Sequence, residues 1–186
     1  MHLLDAWGLT APSVAANDIG GAIVLRALLL EGARYSDLTL FDCVSGGSWE
    51  RGLFAQIRRH PRCSPHCRPM PTKPWSPAIS ATARMPGTAR ASSTYLRPWL
   101  GPEGQAAFYR QYRQLSEADT VDYEPHLAAV DVPVRLLWGR EDRILPTPHG
   151  EWLRDHIPHE SMHWIENAGH LLQEDSPAQL LSSIRG

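Results

Sequence analysis

The chain has 186 residues, 42% of them hydrophobic, with a formal net charge of −2 and a pI near 6.5. That length suits one domain with a core able to stand alone, and the charge argues against a nucleic-acid or anionic-membrane partner. No segment approaches the ~20 apolar residues of a membrane span, Met1 to Asp5 carries no signal-peptide pattern, and three cysteines do not describe a disulfide framework. A reducing cytoplasm is the expected setting.

Leu3, Leu4, Trp7 and Leu9 form a short apolar face, and Thr10-Ala11-Pro12-Ser13 turns the chain into an apolar run, Val14-Ala15-Ala16-Asn17, that ends at Asp18. Ile19-Gly20-Gly21 follows at once. Ile23, Val24, Ala27, Leu28 and Leu30 then have helical spacing, with Gly32 as the stop. Leu38 to Asp42 reads as the next strand. Strand, helix, strand in that order predicts a parallel sheet. The rhythm resumes with a helix over about 103–115, a strand through Leu136 to Trp138 closed by Gly139, and a helix around Trp152. A strand from Met162 to Glu166 and a last helix opened by Ser176-Pro177 complete it.

Three residues carry the chemistry. Asp18 has small neighbours at minus two and plus two, Ala16 and Gly20, as a tight strand–turn–helix elbow requires. A carboxylate there, in place of a hydroxyl, suits displacement at a saturated carbon and leaves an alkyl ester on the protein. The plainer reading is that Asp18 N-caps the following helix. Asp142 stands three residues past Gly139, and His170 ends Asn167-Ala168-Gly169-His170. Alone, Asp142 would be a turn residue and His170 a loop histidine. Together the order is elbow residue, acid, histidine, each just beyond a strand.

On these motifs the chain resembles the α/β-hydrolase superfamily over about 3–49 and from about 95 to the C-terminus. Within it, the chain resembles the branch with an aspartate nucleophile, the epoxide hydrolases and the haloalkane or haloacid dehalogenases. The resemblance implies a parallel sheet of about four strands with helices on both faces, a small-molecule substrate and no cofactor. It implies that Asp18 attacks, that Asp142 holds His170, that His170 activates water, and that the backbone N–H of Ile19 faces the oxyanion. Dehalogenases of this kind usually follow the nucleophile with Trp, and haloacid relatives with Arg. Ile19 supplies neither contact, so epoxides rank ahead of halides. Some epoxide hydrolases protonate the leaving oxygen from tyrosines of the cap. Tyr109 and Tyr112, at i and i+3 beside Phe108, are the candidates for that role, with packing as the plainer one. Asn17 departs from the His usual before this Asp. An acyl hydrolase is a further reading, and Asp18 argues against it.

The sequence divides into an elbow half over 1–55, an irregular segment over 56–94 where relatives carry a helical cap, and the rest of cap and core over 95–186. Between Gln56 and Ser93 there is no acidic residue, and Pro61, Pro65, Pro69, Pro71, Pro74, Pro77 and Pro86 would each cost about 3 kcal/mol inside a helix. The abrupt break suggests a shifted reading frame; translation in the other two frames should otherwise give no amphipathic helical segment. His60, Cys63, His66 and Cys67 resemble metal ligands in spacing, but no second pair follows at finger spacing, and no metal is expected. Relatives have several strands before the elbow, and a loop after one of them supplies half of the oxyanion hole. The expectation is therefore an N-terminally truncated chain of low activity, or a catalytically inactive remnant.

Overall fold

The computed structural model describes residues 2–46, 48–49, 97–158 and 160–185. The segment over 56–94, with its proline run and its cysteines and histidines, lies outside them, as do the domain boundaries drawn there.

Strands β1 (Ser13–Asp18), β2 (Asp37–Cys43), β3 (Val134–Gly139) and β4 (Glu160–Ile165) form one four-stranded sheet in the order β1-β2-β3-β4, every pair parallel. Parallel neighbours need a crossover. Helix α1 (His2–Ala6) precedes the sheet, and α2 (Ile19–Leu30) carries the chain from β1 to β2. Helices α3 (Gly101–Gln114) and α4 (Ala118–Val121) with a 3-10 turn at Glu124–Ala129 precede β3, and α5 (Pro148–His156) links β3 to β4. Helices α6 (Leu172–Asp175) and α7 (Pro177–Arg185) end the chain.

Side chains alternate across a strand, so each apolar run serves two faces. Leu38 and Leu40 of β2 and Leu136 and Trp138 of β3 pack with Leu25 of α2 and Leu153 of α5. Phe41, Leu137 and Ile165 point the other way, onto Ala168, Leu172 of α6 and Leu180 of α7. Helices therefore cover both faces, and the strand ends are left as the place where loops meet. Leu136→Ala should cost about 2–5 kcal/mol, because its site is fully enclosed and collapses poorly. A urea midpoint barely moved from wild type would contradict this packing.

Gly32 stops α2 as expected: its φ of +69° turns the chain, and the Ala33 N–H reaches back to the Ala27 carbonyl at 2.9 Å. The apolar residues of the first two helices are used differently from their spacing. Leu4 packs on the core, while Leu3, Trp7 and Leu9 are exposed. In α2 the inward face is Gly21, Ala22 and Leu25, and Ile23 faces solvent. The elbow fixes the phase of this helix, and a helix apolar nearly all round cannot report that phase in its sequence.

Candidate active site

β1 ends at Asp18 with φ +51° and ψ −128°, and α2 begins at the next residue. A non-glycine residue there is strained, and the strain makes the turn sharp. The Asp18 side chain makes no capping hydrogen bond to α2, which corrects the N-cap reading. It is 45% exposed, held out at the carboxyl end of the sheet. The two small flanks of Asp18 face each other, and the position that admits no Cβ at all is Gly21, one residue beyond them. A Cβ on Gly20 would make ordinary contact with the Ala16 Cβ at 3.7 Å, whereas one on Gly21 would collide with the Sγ and Cβ of Cys43. Gly21 is thus where α2 crosses β2. The turn is tied to that strand by the Val44 N–H donating to the Asp18 carbonyl at 3.0 Å.

The other two loops are built against each other. Gly139 closes β3 where any Cβ would run into the carbonyls of Ala168 and Gly169. The N–H of Arg140 donates to Ile165 O at 3.0 Å and that of Glu141 to Ala168 O at 2.9 Å. Asp142, buried, divides its work between its oxygens. Oδ1 accepts the N–H groups of Ile144 and Leu145 at 2.7 and 2.9 Å, and Oδ2 faces His170 Nδ1 at 2.9 Å. The turn role and the partner role coexist. Asn167 takes φ +57°, and the Gly169 N–H donates to Asp175 Oδ2 at 2.9 Å, fixing the histidine loop. Asn17 contributes too, its Nδ2 donating to Phe41 O at 2.9 Å and to His170 O at 3.4 Å.

His170 therefore lies between two carboxylates, with Nε2 3.7 Å from Asp18 Oδ1. Burial disfavours the imidazolium. The hydrogen bond to Asp142, the approach to Asp18 and both negative charges outweigh it and raise His170 to about 10. At neutral pH the ring is a cation with one nitrogen turned to each aspartate.

Phe108 of α3 packs against Tyr109 and Tyr112, ring centroids 5.6 and 4.4 Å away, and against Trp99 at 5.7 Å. Both tyrosines thus pack. Tyr112 also feels the site: burial, and then the Asp18 charge, push its hydroxyl up to about 12. The N–H of Ile19 opens α2, where first-turn amides lack an intrahelical acceptor. Among the described residues no group of three or more His, Cys, Asp or Glu is placed to hold a metal ion.

One site residue escaped the sequence reading. Asp42, at the end of β2 with φ +44°, is fully buried, and its Oδ1 accepts the Gly139 N–H at 2.9 Å. The signal was present: a carboxylate stands one residue from the end of a largely apolar strand beside the elbow strand, at the sheet edge where α/β folds place their sites. Each strand thus delivers one ionisable group to the same edge, namely Asp18, Asp42, Asp142 and His170.

Comparison with known proteins agrees with this architecture. Residues 2–182 match the Alpha/beta hydrolase family. A crystal structure of an alpha/beta hydrolase fold protein from Burkholderia ambifaria is 35% identical with a TM-score of 0.88, over 98% of this chain and 68% of that one. The AB hydrolase superfamily protein YfhM of Bacillus subtilis (strain 168) is 30% identical over 94 residues, 49% of this chain and 31% of that protein. The 2-hydroxy-6-oxononadienedioate/2-hydroxy-6-oxononatrienedioate hydrolase 2 of Pseudomonas putida is 38% identical over 52 residues, 28% of this chain and 18% of that one. The matched stretches thus span under a third of these curated relatives. A parallel sheet with a strained elbow, an acid loop and a histidine loop at one edge, and a family match across nearly its whole length, make this chain a member of the alpha/beta hydrolase family.

Proposed function

We propose that this protein is an epoxide hydrolase-like enzyme that opens its substrate by an alkyl ester on Asp18. The observation that carries the reading is the elbow itself: a carboxylate held clear of the helix it precedes, in ion-pair reach of a buried imidazolium. A hydroxyl is the usual acyl-transfer nucleophile, and none stands at this elbow.

In the first step an Asp18 oxygen attacks the less hindered epoxide carbon, and the C–O bond breaks onto the ring oxygen. Tyr112 gives that oxygen its proton. Burial still holds the Tyr112 hydroxyl up, but ester formation removes the Asp18 charge that adds to it, so donation becomes easier as the bond forms. The same loss of charge takes one of the two carboxylates from His170 and lowers its hold on its proton. That proton passes to the Tyr112 phenolate and leaves a neutral imidazole. In the second step His170 takes a proton from water, and the hydroxide attacks the ester carbonyl of Asp18. The Ile19 N–H faces the oxyanion. Collapse releases the alkoxide, which takes the proton of the new carboxyl. The diol leaves, and Asp18 carboxylate, Tyr112 hydroxyl and His170 imidazolium are restored.

The test is mass spectrometry of the full chain after exposure to a small aliphatic epoxide. One alkyl group on the peptide containing Asp18 is expected, and an unmodified Asp18 in folded protein would sink the proposal. A dehalogenase-like reading predicts the same adduct from an alkyl halide, whose leaving group needs no proton. Tyr112→Phe separates the two: it should slow ester formation from the epoxide by about 10²–10⁴-fold and leave the halide reaction unaltered. A small-molecule substrate, no cofactor and a cytoplasmic setting complete the proposal. Among the described residues no helix is long and apolar enough to cross a membrane.

A further inference from the structure

Beside the His170–Asp142 pair lies the carboxyl group of Asp42, which the reaction above does not use. It is fully buried. Oδ1 accepts the Gly139 N–H at 2.9 Å, while Oδ2 is buried and meets no donor among the described residues. The groups facing it are Asp142 and His170, with the Cys43 thiol beside it. Asp142 already accepts the N–H groups of Ile144 and Leu145 and the His170 ring, and an ionised carboxylate has nothing to donate. Two carboxylates cannot satisfy each other, and an orphaned buried oxygen is costly. Ionising Asp18, Asp42 and Asp142 together would also set three negative charges around one imidazolium, two of them out of water. A single proton resolves both conflicts if Asp42 holds it.

We infer that Asp42 is a positioning residue, a neutral carboxylic acid whose Oδ2–H donates to the Asp142 carboxylate and holds it toward His170. Burial and the Asp142 charge both push the Asp42 carboxyl well above its ordinary range, and His170 and the Gly139 N–H oppose this more weakly. The proton makes Asp142 the acceptor of four hydrogen bonds, two from the backbone, one from the imidazole and one from Asp42. Its rotation is thereby fixed, and the imidazole it holds keeps Nε2 turned to Asp18. The φ of +44° at Asp42 belongs to the same device, because it turns the side chain at the strand end under the Asp142 loop.

The consequence for the reaction rests on the reading of His170 as the base, but the protonation state does not, and two measurements keep them apart. Infrared spectroscopy of full-length protein with isotope-labelled aspartate, at neutral pH, should show the carbonyl band of a buried carboxylic acid that Asp42→Asn removes. Titration of the His170 ring by NMR should give the same midpoint in wild type and in Asp42→Asn, because the amide keeps both the acceptor for Gly139 and a donor for Asp142. A wild type without the acid band overturns the inference. So does a His170 midpoint that falls by about one unit or more in Asp42→Asn, which would mean that a negative charge had been removed. Neither measurement needs substrate, so they stand even if no alkyl ester forms. With substrate, Asp42→Ala should slow hydrolysis of the Asp18 ester about tenfold or more relative to Asp42→Asn, since only alanine loses the donor. Equal rates in the two variants would show that the hydrogen bond positions nothing.

Discussion

Asp18→Ala is expected to abolish ester formation and to lower turnover by about 10⁴–10⁶-fold, the range seen when a covalent nucleophile is removed. Alanine keeps the Cβ, so the strained backbone at φ +51° is equally strained in the variant. The carboxylate makes no bond to α2, so the helix loses no cap. Stability should therefore change little, and lost reactivity can be read as lost chemistry. What does change is the imidazole, which loses one of its two anionic neighbours and should titrate lower. Asp18→Asn should behave alike, except where slow deamidation restores the acid and activity creeps back. Kinetics with an epoxide, alongside circular dichroism, check both statements. Robust ester hydrolysis by the wild type, indifferent to Asp18→Ala, would show that the nucleophile and the reaction are both misassigned.

His170→Gln is expected to divide the reaction in two. Alkylation of Asp18 needs the carboxylate, which glutamine leaves in place. Hydrolysis of the ester needs a base for water, and its loss should slow that step by about 10²–10⁴-fold. The variant should therefore take up one equivalent of epoxide and hold it, with the modified peptide persisting where wild type clears it. A variant that turns over as wild type does would remove His170 from the mechanism. The same residue gives the fold a pH dependence. Its folded-state value of about 10 lies above the ordinary 6.5, so its contribution to stability is complete below about 6.5 and is lost as the pH rises toward 10. Alkaline unfolding of His170→Gln should lack that component.

Much of this was written in the chain itself. Local patterns sufficed for the elements: the apolar run ending at Asp18, the strand at Leu38 to Asp42, the stop at Gly32 and the proline opening α7 all depend on neighbours in sequence. The parallel sheet followed from strand–helix alternation. The convergence of Asp18, Asp142 and His170 was legible because each follows a strand, and parallel strands deliver their ends to one edge.

Tertiary structure decided what depends on contacts between distant segments. The buried face of α2 is set by the crossing of Gly21 over Cys43, twenty-two positions apart in the chain, and no helical periodicity reports it. Gly139 is required by the carbonyls of Ala168 and Gly169, which come beside it only when β3 and β4 pair. Tyr112 carries the mark of Asp18 because the fold brings its hydroxyl within reach of a charge ninety-four positions earlier in the chain. Asp42 looked like the end of a strand until the acid and histidine loops came beside it, leaving an oxygen with no donor among the described residues. Sequence fixes which groups are available at the ends of strands; enclosure decides which of them are charged, because the cost of a charge depends on what the rest of the chain has put around it.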